Sequence, residues 1–349
     1  MRPSPARIEP VFSPRIWGAR TLAPLYPEKS NLQEPLGETW LTGVECRIAS
    51  GHFVGKTLGA AWPDMPAEWR GEQLASAADF PLLVKFIFPT DKLSIQVHPD
   101  DTYAAVHEKA AGGRGKTEMW HAVSAEAGAR VFAGLQPGVD KEKLLEGLAL
   151  GTLEDLLEAH SVKTGDTFFV PPGTLHTIGP GMVLCEVQEY SDLTYRVYDY
   201  GRVDSQGKPR ELHIEKALQV TKFGAQAVAK AVPLPLPAGG AVRSLLAACR
   251  YFATERWECA ANCELPLDTA RFELIAILEG AGSFAWPGGA ARYHPGECWL
   301  VPACQERFDV QPEAATNLLR TYVPEITALR TELHRGGASA AALSQVIFD

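Results

Sequence analysis

The chain has 349 residues, 33 Lys plus Arg against 42 Asp plus Glu, a formal charge of −9, and 46% hydrophobic to 21% charged residues. That balance belongs to a folded protein of about two domains at roughly 150 residues each, and the lack of a basic stripe argues against nucleic-acid binding. No apolar run approaches the roughly 18 to 20 residues of a membrane span, Met1–Pro5 carries no signal-peptide core, and the odd number of Cys (7) predicts a reducing cytoplasm rather than a disulfide scaffold.

Frequent Gly (31) and Pro (26) separate short runs rich in Val, Ile, Phe, Leu and Thr, the pattern of many short strands. In chain order, helical periodicity predicts a helix over 67–77, and strands follow at 80–88. A leucine-rich periodic segment predicts a helix over 141–159; a strand is expected at 167–170, a short helix at 212–217 and a strand at 272–278. The fold class is therefore all-β dominated, with short helical insertions. The Pro-rich, Gly-terminated stretch 231–240 suits an extended connector, which places a domain boundary between 1–235 and 236–349. Gly165-x5-Pro171 and Gly296-x5-Pro302 are a weak internal echo of two related halves. Cys259 and Cys263 lack the second pair that a zinc site needs and read as buried thiols.

Three segments carry candidate chemistry. As a strand, residues 92–98 place Ser94, Gln96 and His98 on one face and Leu93, Ile95 and Val97 on the other. The same alternation groups Lys116, Glu118 and Trp120 and turns His121 away. After Gly165, a buried strand and a Pro171-Pro172-Gly173 corner swing His176 back toward the mouth of a barrel. Two imidazoles, a carboxylate and an amide oxygen, from His98, His176, Glu118 and Gln96, form an N/O set suited to a divalent transition metal, zinc being the commonest.

The spacing Gly165-x5-Pro171-x-Gly173-x2-His176 resembles the second cupin motif, and Gln96-Val97-His98 with Glu118 resembles the first, Gln standing for its leading His. Together with Lys116-Thr117-Glu118, Asp192-Leu193-Thr194-Tyr195-Arg196, Trp17-Gly18 and Gly37-Glu38-Thr39-Trp40, these segments resemble the type I mannose-6-phosphate isomerases in their short bacterial form, over about residues 8–215. The resemblance implies two cupin jelly-roll barrels and one zinc per chain, bound by Gln96, His98, Glu118 and His176. It also implies a sugar-phosphate substrate isomerised between mannose 6-phosphate and fructose 6-phosphate through an enediol. It assigns catalytic roles to Arg196, Lys116 and Glu186, with the proton-transfer group open between the last two, and substrate contacts to Lys85 and Ser94.

One departure is Thr117, where longer family members carry proline. In the second half, Cys304 and Arg307 occupy the places of Gly173 and His176, so no like metal site is expected there. The alternative to an enzyme is a non-catalytic cupin that binds a sugar phosphate; an oxygen-activating iron site would want more imidazoles.

Overall fold

Alternation along each strand decides what the strand can pack against. In Glu118–Ala125, Glu118, Trp120 and Ala122 point to one side and Met119 and His121 to the other, and all five are buried. Leu82–Ile87 and Thr167–Val170 are likewise buried at every position. Strands covered on both faces belong to the middle layers of a stack. The computed structural model describes residues 3–203, 207–224 and 228–348, and its strands form four antiparallel sheets.

The first seven-stranded sheet runs Ala229–Lys230, Thr167–Val170, Glu118–Ala125, Met182–Glu189, Leu82–Ile87, Leu36–Trp40, Val11–Ala19. A five-stranded sheet of Tyr195–Tyr198, Ile95–Val97, His176–Ile178, Arg130–Leu135 and Leu157–Ser161 faces it. Trp120, Phe168 and Ile87 from one pack with Val131, Ala133 and Ile178 from the other. The second half repeats the plan. Its seven-stranded sheet contains Cys298–Val301, Glu273–Glu279, Thr316–Tyr322, Ala253–Cys259 and Val242–Ala248 in that order, and a four-stranded sheet covers it. Phe284, Tyr293 and Phe308 there pack on Trp257, Ile275 and Trp299.

The outer faces of the two large sheets meet each other. Met119, Phe169, Cys185 and Val187 share one core with Leu274, Ala276, Cys298 and Leu300, capped by Trp62, Trp69 and Phe80.

The expected dominance of strands is observed, and among the described residues hydrogen bonding leaves all four sheets open. Two expected helices are corrected. The helix expected over 141–159 stops at Leu150, because Gly151 takes φ +71° and caps it; Leu153–Leu156 form a 3-10 turn, and Leu157–Ser161 joins a sheet. The 67–77 segment divides into Ala67–Arg70 and a 3-10 turn at Glu72–Leu74. The connector contributes an edge strand, Leu234–Leu236, where Pro235 is tolerated. No helix among the described residues is long and apolar enough to cross a membrane.

Candidate metal centre and active site

Two facing sheets bring three side chains to one point. Glu118 opens its strand in the first large sheet; His176 opens a strand of the five-stranded sheet, paired with Gln96, and His98 follows the strand Ile95–Val97. His176 Nε2 lies 3.3 Å from Glu118 Oε1 and His98 Nε2 lies 3.7 Å from Oε2. All candidate ligand atoms of the three fall within 4.8 Å of one another, and no side chain of the three is more than 2% exposed.

The histidines are held for ligation. His98 Nδ1–H donates to Leu193 O at 2.7 Å and His176 Nδ1–H to Thr174 O at 2.9 Å. With the proton fixed on Nδ1, each Nε2 turns its lone pair toward Glu118, and that of His98 also meets Lys116 Nζ at 3.2 Å. Burial, then the Lys116 ammonium, holds His98 well below the usual imidazole range; burial also lowers His176. Both rings are therefore neutral, as ligands must be.

Glu118 supplies the test of fit. Burial raises its carboxyl, but the Lys116 ammonium beside it outweighs burial and holds it low. Lys116 Nζ stands 2.8 Å from Oε2 as an ion pair, yet out of hydrogen-bond alignment, and neither buried carboxylate oxygen has a hydrogen bond. Such a group is costly unless a further cation completes it. The amide end of Gln96 lies 3.3 Å from His176 Nε2, and Ser94 Oγ donates to its oxygen at 3.3 Å. An amide turn places that oxygen inward, and the four donors then fit a divalent transition metal.

Strand register extends the site. Glu186 lies across from Trp120 on one side and Lys85 on the other, which puts all three on the face of Glu118. Lys85 Nζ is 3.0 Å from Glu186 Oε1, and Lys116 Nζ is 3.7 Å from the same oxygen. Burial, then the nearby Glu118, pushes the Glu186 carboxyl up. Burial lowers the Lys85 ammonium, but Glu186 and Glu38 outweigh it and keep it charged.

These groups line a cavity of about 500 Å³ that includes Lys85, Ser94, Gln96, Lys116, Glu118, Glu186 and Arg196; His98 and His176 adjoin it through Glu118. Arg196 sits across from Gln96 and donates from Nη1 to Glu211 O at 3.0 Å, while its buried Nε has no hydrogen-bond partner. Asp199 is taken by Arg202 and Arg210 at 2.6 and 2.5 Å, so Arg196 is not bound by it. A larger cavity, about 790 Å³ between residues 7–12, 24–28 and 294–297, contains none of these groups.

Residues 6–132 match the family model described as phosphomannose isomerase type I, catalytic domain. The chain is 36% identical over 282 residues to the mannose-6-phosphate isomerase of Streptococcus mutans, covering 78% of this chain and 86% of that one. It is 33% identical over 312 residues to a probable mannose-6-phosphate isomerase of Bacillus subtilis, covering 88% and 96%. The chain belongs to the type I mannose-6-phosphate isomerase family. The crystal structure of the mannose 6-phosphate isomerase from Bacillus subtilis shares its fold, with a TM-score of 0.83 at 29% identity across 91% of this chain and 99% of that one.

Within this isomerase fold, the cavity also uses residues that sequence reading passed over. Glu38 Oε2 accepts from Arg15 Nη2 and from Trp40 Nε1, each at 2.8 Å, and Arg210, His213, Asp192 and Thr194 complete the rim. A period of two in Gly37-Glu38-Thr39-Trp40 sets Glu38 and Trp40 on one face, a signal present but unused. His121 faces away as expected, its Nδ1 2.9 Å from Thr167 Oγ1.

Proposed function

We propose that this chain interconverts mannose 6-phosphate and fructose 6-phosphate through an enediol, with one zinc ion bound by Gln96, His98, Glu118 and His176. The observation that carries the reading is Glu118: a buried carboxylate without a hydrogen bond, between two buried imidazoles whose Nδ1–H groups are committed to backbone carbonyls and whose Nε2 atoms face it. Bound there, zinc would supply a Lewis acid beside the substrate's carbonyl and hydroxyl oxygens.

The chain's own residues do the rest. Aldose–ketose exchange moves one proton between carbons and another between oxygens. Glu186, its carboxyl raised by burial, is the group suited to take up and return a proton, and Lys116 Nζ, 3.7 Å from it and 2.8 Å from Glu118, lies on the path to the metal ligands. These two carry the proton traffic in this reading. The Arg196 guanidinium, with an unused Nε–H, meets developing oxyanion or phosphate charge. Lys85 and Ser94 contact the sugar phosphate. A binding module without catalysis would need the cavity but not the buried Lys85–Glu186–Lys116 array.

We read each pair of facing sheets as a cupin jelly roll, a double-sheet architecture that requires no closed barrel, with a catalytic unit over 1–235 and a metal-free unit over 236–349. Seven cysteines without a disulfide support a cytoplasmic setting. The test is conversion of mannose 6-phosphate by purified protein before chelation, after it, and after zinc is restored. Activity lost and regained supports the reading; none in a folded, zinc-replete sample sinks it.

A further inference from the structure

The loop leading into Glu118 presents both Lys116 and Glu118, and it is fastened at four consecutive residues. Arg114 O accepts from Ser191 Oγ at 3.2 Å, and Gly115 N–H donates to Asp101 Oδ1 at 2.9 Å. Lys116 N–H donates to Pro99 O at 3.0 Å, and Thr117 N–H donates to Glu189 Oε1 at 2.8 Å. The fit at Gly115 is backbone on backbone: a Cβ there would lie 2.6 Å from Asp100 C and Asp101 N. At Thr117 a proline would have no N–H to give, so this chain's departure from the longer members provides the donor that Glu189 uses.

Glu189 is 5% exposed and ends the strand that carries Glu186. Burial, then the nearby Asp101, pushes its carboxyl up to about 8. The two carboxyls hold neighbouring backbone N–H groups of the same loop, Gly115 and Thr117. From the second half, the turn after Val242–Ala248 reaches across to the same Asp101. Tyr251 Oη donates to its Oδ2 at 2.5 Å and Arg250 Nη2 to the same oxygen at 2.8 Å.

We propose that the Asp101–Glu189 carboxyl pair, gripped from the second half by Tyr251 and Arg250, is a positioning device for the loop that presents Lys116 and Glu118. The metal-free half thereby contributes to the geometry of a centre it does not line. The inference rests on the isomerase reading for its kinetic readout and stands apart from it in its zinc readout.

The full chain is compared as wild type, Glu189→Ala, Glu189→Gln and Tyr251→Phe. Zinc affinity is read by competition with a chromophoric chelator, and kcat and KM on mannose 6-phosphate. Glu189→Ala is expected to lose about tenfold in zinc affinity, the order found when a ligand's supporting partner is removed. Its kcat falls at least about tenfold with KM unchanged, because a misplaced loop costs turnover before binding. Glu189→Gln restores both, since its oxygen still accepts from Thr117 N–H.

Tyr251→Phe gives a smaller loss in the same direction, and it decides the matter should Glu189→Ala fail to fold. Wild-type zinc affinity and kcat in Glu189→Ala, or a Glu189→Gln protein as impaired as Glu189→Ala, overturns the proposal. A wild type that binds zinc but leaves mannose 6-phosphate unchanged overturns the isomerase reading alone, and the zinc competition still decides this one.

Discussion

In the first large sheet Glu118 pairs with Val170, Trp120 lies across from Glu186, and Glu186 across from Lys85. In the second, Glu273 pairs with Val301, Ile275 lies across from Arg320, and Arg320 across from Glu255. Val170 and Val301 are each five residues after the glycine of the repeated Gly-x5-Pro frame, so the two ladders align position for position. Glu118 corresponds to Glu273, Glu186 to Arg320 and Lys85 to Glu255. Lys116 and Arg271, two residues before their glutamates, also correspond. One carboxylate is kept and the two charges beside it are exchanged.

That exchange separates an open centre from a sealed one. Arg320 donates from Nε to Glu273 at 2.6 Å and from Nη1 to Glu255 at 3.3 Å. Glu255 also takes Arg243 at 2.7 Å, Trp257 Nε1 at 2.9 Å and Tyr322 Oη at 3.1 Å. A planar guanidinium saturates both carboxylates at once. In the first half the same ladder position is a carboxylate, Lys85 and Lys116 hold it by point charge, and Glu118 keeps two unfilled oxygens beside a cavity. The second half replaces His176 by Arg307, whose exposed side chain pairs with Asp309 at 2.8 Å.

The sharpest way to break this contrast is at the ligands. His98→Ala or His176→Ala is expected to remove zinc and turnover together, by at least about a thousandfold, the several kcal/mol a Lewis acid contributes. Arg307→Ala should alter neither, as metal analysis and the isomerase assay will show. Arg320→Ala leaves buried Glu273 without its cation and Glu255 with Arg243 alone, and urea unfolding should show a loss of about 3 to 5 kcal/mol. Arg196→Ala should keep its zinc and lose about a hundredfold in kcat, the effect of removing one preorganised donor. Near-normal turnover would take Arg196 out of the mechanism.

Acid and base should stress the halves oppositely. Glu255 is held down at about 2, against an ordinary 4.5, by Arg320 and Arg243 acting against burial. The unfolded chain takes up that proton first, so its stabilisation is lost as pH falls from 4.5 toward 2. Glu189, at about 8, keeps in the folded state a proton that the unfolded chain releases at 4.5, so stability falls as pH rises across that window. Glu189→Gln should flatten the second slope and leave the first, measured by chemical unfolding at a series of pH values.

Much of this was legible from local pattern. Alternation placed Lys116, Glu118 and Trp120 together, and Thr167–Val170 has the bounds read from its composition. The meeting of His98, Glu118 and His176 was legible in part because alternation gives Glu118 a fixed facing and the Pro171-Pro172-Gly173 corner turns His176 back. The leucines at 153–157 misled because their spacing continues a helical stripe past Gly151, and only the φ of that glycine ends it. Asp101 and Glu189 were illegible as positioning residues because their significance lies in register and burial across segments distant in sequence. The exchanged ladder is the extreme case, since it appears only when two sheets are laid on one another.

The strand Ala6–Ile8 bonds to Cys298–Val301 in the far sheet, whereas Val11–Ala19, three residues on, edges the near one. The connector does the reverse, leaving Ala229–Lys230 on Thr167–Val170 and Leu234–Leu236 on Val242–Ala248. The halves are laced rather than hinged. A cut in the connector would leave two pieces still tied by Ala6–Ile8, and a pull on the first residues would load the far sheet before the near one.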